Sequence, residues 1–385
     1  MRARYFLMSM LCIGLLAGCS TISKYNPLAS APDPKSLPAP LVTIEHANGK
    51  LRTLWQASVG SAGAGVFTPA VAGNSIFAAD KDGAITRFDN GKQVWRISAG
   101  QPLSGGVGSD GKLIVVGTTK GDVLVFAADT GKALWKTKVS SEVLSAPTVG
   151  EEMVIVRSGD SRIFAFERAD GKRRWVYQRS TPSLSLRSNV GVVLTSSGVL
   201  AGFPGGKLVA IATNNGAAQW EATVALPKGA TELERVADIT SSPVVFEHQV
   251  CAVAFQGRVS CFDLTSGNAL WSRDVSSISG LDMDGKAVYV SSDKGSVLAF
   301  DRNSGTSLWK QDKLSNRELS RPIVISKAVA VADFQGYIHL LSQEDGSFVG
   351  RLQTDGSAIS AEPQRIAGGF LVQTHGGGLY AISSD

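Results

Sequence analysis

The sequence has 385 residues, of which 43% are hydrophobic, and carries a formal net charge of +5 at pH 7. Because this charge is small and no basic run occurs, we exclude nucleic acid as a partner. Beyond the first eighteen residues no apolar stretch is long enough for a membrane-spanning helix, which predicts a soluble body.

The N-terminus predicts a signal peptide over residues 1–18. Arg2 and Arg4 precede an apolar run that is too short to form a stable span. The run ends in Leu-Ala-Gly-Cys19, which resembles the lipobox of bacterial lipoproteins and implies acylation of Cys19. A chance cysteine beside an ordinary cleavage site is the alternative. Ser20 follows where that family places Asp in inner-membrane lipoproteins, so the resemblance implies the periplasmic face of the outer membrane.

Residues 19–45 predict a tether. Five prolines lie there among small and polar residues, a composition that stiffens a chain without giving it a core. We expect this segment to hold a folded body, residues 46–385, away from the lipid anchor.

An internal repeat fills the body. Seven tryptophans recur at intervals of 38 to 51 residues, and Gly350 occupies an eighth equivalent position. Six of the tryptophans, and Gly350, follow a glycine by four residues. The repeated tryptophans are Trp55, Trp95, Trp135, Trp175, Trp220, Trp271 and Trp309.

Each repeat predicts four short strands. In the unit that ends at Trp135, alternating apolar runs cover residues 104–108, 112–118, 122–127 and 133–139. Four strands in about forty residues are typical of a propeller blade. The sequence therefore predicts an all-β fold, an eight-bladed β-propeller of four-stranded antiparallel blades. Because the eighth blade lacks a fourth strand, we expect the segment around Trp55 to close the ring against residues 378–384.

The Gly-x-x-x-Trp pattern resembles the docking motif of the pyrroloquinoline-quinone dehydrogenases, which are also eight-bladed. That resemblance implies that the tryptophans hold neighbouring blades together, since a large flat ring with one N–H donor suits such a contact. Those enzymes also carry an adjacent cysteine pair that this sequence lacks. The histidines are scattered, and no catalytic triad or metal-ligand spacing occurs. We expect no catalytic residue, no cofactor and no metal, and hence no enzyme.

Two repeats contain insertions. From the tryptophan to the next strand turn the usual distance is 24 to 28 residues, but it is 31 after Trp175 and 37 after Trp220. Both insertions precede the first strand of a blade. Loops at that position emerge on one face of a propeller, and loops on a rigid scaffold commonly carry binding sites. The sequence predicts one continuous patch.

The first insertion presents Leu184, Leu186 and Arg187, although an additional core strand would also fit its Leu-Ser-Leu alternation. The second carries charged candidates beside Leu233, although a solvated loop or a short capped helix from Thr231 is equally compatible. These charged candidates are Glu232, Glu234, Arg235 and Asp238.

Cys251 and Cys261 flank a predicted hairpin, so they could face each other across two strands. A disulfide and a reduced buried pair are both compatible with the sequence.

The chain resembles the BamB family, lipoproteins of the outer-membrane β-barrel assembly machinery. The segments "PSLSLR" and "TELERVADITSSPVV" carry this resemblance most specifically, together with the lipobox, the tether and the eight blades. The resemblance implies that Leu184, Leu186, Arg187 and Asp238 contact a periplasmic POTRA domain of BamA. A further acidic position of the family is Thr240 here, so that contact is not expected.

The resemblance implies a non-enzymatic scaffold that supports folding and insertion of outer-membrane β-barrels. A second hypothesis is that nascent outer-membrane proteins bind directly, by adding a strand to an exposed blade edge.

Overall fold

The computed structural model describes residues 37–44, 49 and 51–384. Over this part of the chain the regular elements are 32 strands, which form eight four-stranded antiparallel sheets. The predicted eight-bladed β-propeller is confirmed. The signal peptide, Cys19 and most of the proline-rich segment lie outside the described residues. No helix in the described part is both long and apolar enough to cross a membrane.

The strands follow one another from the inside of each blade to its outer edge. Blade 1 contains β2 (Ala70–Ala72), β3 (Ser75–Ala79), β4 (Ala84–Asp89) and β5 (Lys92–Ser98); blade 2 contains β6 (Gly108–Ser109), β7 (Leu113–Gly117), β8 (Asp122–Ala127) and β9 (Ala133–Lys138). Blade 3 contains β10 (Thr148–Val149), β11 (Met153–Arg157), β12 (Ile163–Glu167) and β13 (Arg173–Tyr177); blade 4 contains β14 (Val192–Leu194), β15 (Val199–Phe203), β16 (Lys207–Ile211) and β17 (Ala218–Thr223).

The second half of the ring repeats this order. Blade 5 contains β18 (Val244–Phe246), β19 (Gln249–Val253), β20 (Arg258–Asp263) and β21 (Ala269–Asp274); blade 6 contains β22 (Gly280–Met283), β23 (Ala287–Ser291), β24 (Val297–Asp301) and β25 (Ser307–Gln311). Blade 7 contains β26 (Ile323–Ile325), β27 (Ala328–Ala332), β28 (Tyr337–Ser342) and β29 (Phe348–Gln353); blade 8 contains β30 (Gln364–Ile366), β31 (Gly369–Gln373), β32 (Gly378–Ser384) and β1 (Leu51–Ser58).

The N-terminal strand closes the ring as the sequence predicts. β1 pairs antiparallel with β32, from Leu51 opposite Ser384 to Ser58 opposite Gly378. The backbone amide of Val59 continues the pairing by donating to the carbonyl of Gly377 at 2.8 Å. The first and the last strand of the described chain therefore stabilise the same blade.

The second strands of the blades are almost continuously apolar because both of their faces are covered. β7 (LIVVG) and β11 (MVIVR), for example, are buried at every residue. Their side chains pack against the neighbouring blades on either side, and eight hydrophobic clusters result, one at each blade junction. Burial of apolar area between blades is thus the main stabilising term of the ring.

The tryptophans bridge consecutive blades. Six indole N–H groups donate to a backbone carbonyl of the next blade, at 2.7 to 3.1 Å. The pairs are Trp95 with Asp129, Trp135 with Arg168, Trp175 with Thr213, Trp220 with Leu264, Trp271 with Arg302 and Trp309 with Gln343. The ring of Trp55 lies against Gly91 of blade 1.

The glycine that lies four residues before six of the tryptophans is required for two separate reasons. At Gly305 the φ angle is +67°, a left-handed conformation that costs side-chain-bearing residues free energy. A Cβ atom there would also lie 2.5 Å from the indole of Trp271 in the preceding blade. The motif thus combines a turn within one blade with a docking surface for the previous one.

The junction of blades 7 and 8 uses backbone in place of a tryptophan. Gly350 occupies the tryptophan position of blade 7, and the amide of Gly49 donates to the carbonyl of Val349 at 3.0 Å. The chain that leads into β1 therefore passes directly over this position, where an indole would otherwise lie.

Residues 39–44 belong to the same compact unit as the propeller. The amide of Ala39 donates to the carbonyl of Ser315 at 2.9 Å. Arg317 and Arg351 donate to the carbonyls of Ala39 and Val42, at 2.9 and 3.0 Å. The last part of the proline-rich segment thus lies against blade 7, so the packed body begins before residue 46.

Cys251 and Cys261 form a disulfide. They lie directly opposite each other on β19 and β20 and are fully buried. Of the two alternatives compatible with the sequence, the structure has the oxidised pair, a cross-link within blade 5.

Candidate partner-binding site

The two insertions meet on one face of the propeller. The first, residues 178–191, connects β13 to β14, and the second, residues 224–243, connects β17 to β18. The backbone amide of Leu186 donates to Oδ2 of Asp238 at 2.7 Å, and the hydroxyl of Ser183 donates to Glu232 at 3.3 Å. We call these two segments the insertion platform.

The first insertion is a loop that projects leucines into solvent. No strand lies between Tyr177 and Val192, so the alternative of an additional core strand is wrong. Leu184 is 42% exposed and Leu186 is 36% exposed. Large apolar side chains held at the surface in this way are typical of an interface.

Arg187 is already paired within the chain. Its Nε and Nη2 donate to the two carboxylate oxygens of Glu142, each at 2.7 Å. This bidentate pair lowers the pKa of Glu142 and raises that of Arg187, through the hydrogen bond itself and the attraction of the charges. Because Glu142 lies in the loop between blades 2 and 3, Arg187 ties the first insertion to a third blade junction.

The second insertion contains one capped turn. Thr231 accepts a hydrogen bond from the amide of Glu234 at 3.2 Å, and the Glu234 carboxylate accepts from the amides of Ala230 and Thr231. These reciprocal bonds form a capping box and lower the pKa of Glu234. The turn does not continue into a helix. It raises Leu233, which is 69% exposed, to the tip of the loop.

The remaining charged candidates of this loop lie at the surface. Arg235 donates through Nε to the carbonyl of Gly229 at 3.0 Å, and its Nη1 lies 3.9 Å from Glu232. Both side chains are more than half exposed. Glu232 and Arg235 therefore remain accessible to a partner, whereas the carboxylate of Glu234 is engaged in the cap.

Asp238 lies beneath the surface, unlike the other candidates. Its side chain is only 2% exposed, and besides Leu186 it accepts the amide hydrogen of Gly205 at 3.0 Å. The resemblance implied a contact between Asp238 and a partner. In the structure this carboxylate instead faces the inside of the platform.

Thr240 is also directed inward. Its hydroxyl donates to the carbonyl of Ile278 at 2.9 Å, which links the second insertion to the loop between blades 5 and 6. The position where the family has an acidic residue is therefore a structural contact in this chain.

Sequence reasoning missed three residues of the site. Glu142 holds Arg187, and Leu226, which is 64% exposed, adds a fourth exposed leucine to the platform. Arg157 at the end of β11 is buried, and loss of hydration lowers its pKa to about 10 although the charge of Asp238 opposes this effect. No local pattern marks Glu142 and Arg157, because their partners come from other repeats.

Comparison with known proteins identifies the family. A family model described as outer membrane protein assembly factor BamB matches residues 81–311 and 294–385. A protein of Bordetella pertussis with the same description is 44% identical over 378 residues, which cover 97% of this chain and 95% of the relative. The chain belongs to the BamB family.

The solved structures agree with this membership. BamB from Moraxella catarrhalis has a TM-score of 0.81 and 28% sequence identity, covering 87% of this chain and all of that one. The quinohemoprotein alcohol dehydrogenase of Comamonas testosteroni, at 12% identity, has a TM-score of 0.70 over 86% of this chain and 76% of its own. At that identity the likeness concerns the fold alone. Membership of a family of assembly factors confirms the prediction that the chain is not an enzyme.

The outer strand of every blade in this BamB family member contains a β-bulge at the same position. Each outer strand has a register shift where the residue before the tryptophan position bulges out, such as Leu134 in β9 and Leu308 in β25. The same irregularity occurs in the other six outer strands. Bulges on edge strands discourage pairing with a further strand. They argue against the hypothesis that client chains add a strand here.

Proposed function

We propose that the protein is a non-enzymatic scaffold of the outer-membrane protein assembly machinery. It binds the periplasmic POTRA domains of BamA through the insertion platform and so supports folding and insertion of β-barrel proteins. One observation carries this proposal: two insertions from consecutive blade junctions are hydrogen-bonded to each other and present exposed leucines on one face.

The chemistry of the platform suits a protein partner. Leu184, Leu186, Leu226 and Leu233 are all exposed and supply apolar anchors. Interfaces typically depend on a few such anchors, surrounded by a polar rim. Glu232 and Arg235 provide this rim, where opposite charges on the partner would orient binding more than strengthen it.

We expect the protein to be located at the outer membrane. Acylation of Cys19 would anchor it, since each buried CH₂ contributes about 0.8 kcal/mol of membrane affinity. Ser20 in the following position favours the outer membrane, with the propeller on the periplasmic face. The names of the relatives, which refer to outer-membrane protein assembly, support this location.

Binding tests this proposal directly. Full-length protein in detergent would be titrated against the purified periplasmic domains of BamA, and dissociation constants measured for wild type, Leu184→Glu and Leu233→Glu. Leu308→Glu is a matched control, because Leu308 is 51% exposed on the outer edge of blade 6, away from the platform.

We expect wild type and Leu308→Glu to bind equally and both platform variants to bind at least about tenfold more weakly, as for loss of an anchor. Equal binding by all four proteins would show that the partner uses another surface. Absence of binding by wild type would show that the partner assignment is wrong.

A further inference from the structure

The buried carboxylate of Asp238 holds two separate backbone segments together. Both of its oxygens accept backbone amide hydrogens, Oδ2 from Leu186 at 2.7 Å and Oδ1 from Gly205 at 3.0 Å. These donors belong to different elements, the first insertion and the turn between β15 and β16. One carboxylate of the second insertion thus fixes the first insertion to blade 4.

Asp238 is almost inaccessible to a partner. With 2% of the residue exposed and its two oxygens engaged, a basic side chain of another protein could reach it only after the platform opened. A buried carboxylate requires compensation, because removal from water disfavours its charge. The two amides supply hydrogen bonds, and Arg157 supplies the opposite charge.

Arg157 extends this arrangement into the body of the propeller. It ends β11 of blade 3, is 7% exposed, and donates through Nη1 to the carbonyl of Gly202 in blade 4. Its guanidinium also lies over the ring of Phe203, 5.1 Å from the centroid. Arg157 and Asp238 line the same small cavity beneath Leu186 and Arg187.

We propose that Asp238 and Arg157 are positioning residues, which order residues 183–187 in the conformation that presents Leu184 and Leu186 and make no contact with the partner. Ser183 and Arg187 hold this segment through their side chains, whereas the Leu186 amide fixes its backbone. Loss of the acceptor of this amide would therefore let the backbone that carries both leucines leave the observed conformation. The binding-competent conformation would then be populated for only a fraction of the time, which weakens apparent affinity by that fraction.

This inference rests on the proposed function, but part of its test is independent of any partner. Hydrogen exchange of the peptide that spans residues 183–190 would be measured by mass spectrometry for the isolated full-length protein. The variants are Asp238→Asn, which replaces one acceptor oxygen by a donor, and Arg157→Gln. Asp355→Asn is the control, since Asp355 supports a distant loop through Ser357 and Thr374.

We expect faster exchange at 183–190 in both variants at a melting temperature still well above that of the assay, and no change in the control. Unchanged protection of this peptide in Asp238→Asn would overturn the proposal, whether or not BamA binds. Leu184→Glu should leave hydrogen exchange unchanged and still weaken binding, which separates the ordering of the loop from contact with the partner.

The second part of the test uses the BamA periplasmic domains at several salt concentrations. Affinity of Asp238→Asn should fall about tenfold, as expected for loss of a charge-assisted hydrogen bond. Its salt dependence should match that of wild type, because no ion pair with the partner has been removed. A weaker salt dependence would show that Asp238 contacts the partner. Failure of wild type to bind would contradict the proposed function but would not affect the hydrogen-exchange result.

Discussion

A Cβ atom added to Gly350 would lie 2.6 Å from the carbonyl oxygen of Gly49. In the other seven blades the equivalent position is a tryptophan that docks the next blade. At the junction of blades 7 and 8 the next blade contributes the chain entering β1, whose backbone occupies this space. The loss of tryptophan at residue 350 is therefore a requirement of ring closure.

Gly350→Ala should destabilise the propeller by about 1 to 3 kcal/mol, the range for overpacking at a site that cannot relax. Chemical denaturation would measure the change. Gly285→Ala is the control, because its Cβ would meet only one atom, of Phe246, at 3.7 Å. Gly350→Trp, which restores the repeat, should be worse than Gly350→Ala. A neutral Gly350→Trp would contradict the closure argument.

Trp271→Phe should cost about 1 kcal/mol, because it removes the indole donor to the Arg302 carbonyl at 2.7 Å but keeps an aromatic ring against Gly305. Trp271→Ala should cost about 3 to 5 kcal/mol, since a cavity remains between blades 5 and 6. The free energy of unfolding distinguishes the two. If both variants lost the same amount, the hydrogen bond would be the dominant contribution and the packing argument would fail.

The Cys251–Cys261 disulfide closes a short loop, so its removal by double substitution to alanine should cost about 2 to 3 kcal/mol. Because both cysteines are fully buried, reductant should leave the native protein oxidised. Alkylation followed by mass spectrometry, with and without denaturant, tests this accessibility. Rapid alkylation of the native protein after mild reduction would contradict it.

Stability should decline as the pH falls below the ordinary value for histidine, about 6.5, because of His339. Arg351 donates through Nε to Nδ1 of this buried residue at 3.2 Å, which requires an unprotonated Nδ1. Nε2 lies 3.0 Å from Asp333 and carries the remaining hydrogen. Burial lowers the pKa of His339 more than Asp333 raises it. The unfolded chain therefore binds a proton that the folded protein does not.

Between pH 7.5 and 5.5 the free energy of unfolding should decrease by about 1 kcal/mol less in His339→Gln than in wild type. Each pH unit below the unfolded pKa contributes up to about 1.4 kcal/mol per proton bound. Unfolding free energies at the two pH values provide the comparison. His375→Gln, on blade 8, is the control. An equal decline in His339→Gln and wild type would exclude His339 as the cause.

Prediction from the sequence succeeded where the signal was periodic. The tryptophan spacing and the alternating runs gave the number of blades, the four strands of each and the closing strand around Trp55. Strand limits were less certain: the first strand of blade 2 was predicted over 104–108, but β6 covers only Gly108–Ser109. Inner strands of a propeller are short because the blades converge there.

The sequence alone determined the architecture and the place of the platform, because both depend on distances along the chain. Repeats of fixed length specify blades, and extra residues between fixed markers locate the insertions after Trp175 and Trp220. The partners of single side chains were decided only by the tertiary structure. Arg187 with Glu142, and Asp238 with Leu186, are 45 and 52 residues apart and meet because loops of different blades converge on one face. Periodicity carries no information about such pairs, since they depend on how loops outside the repeat pack together.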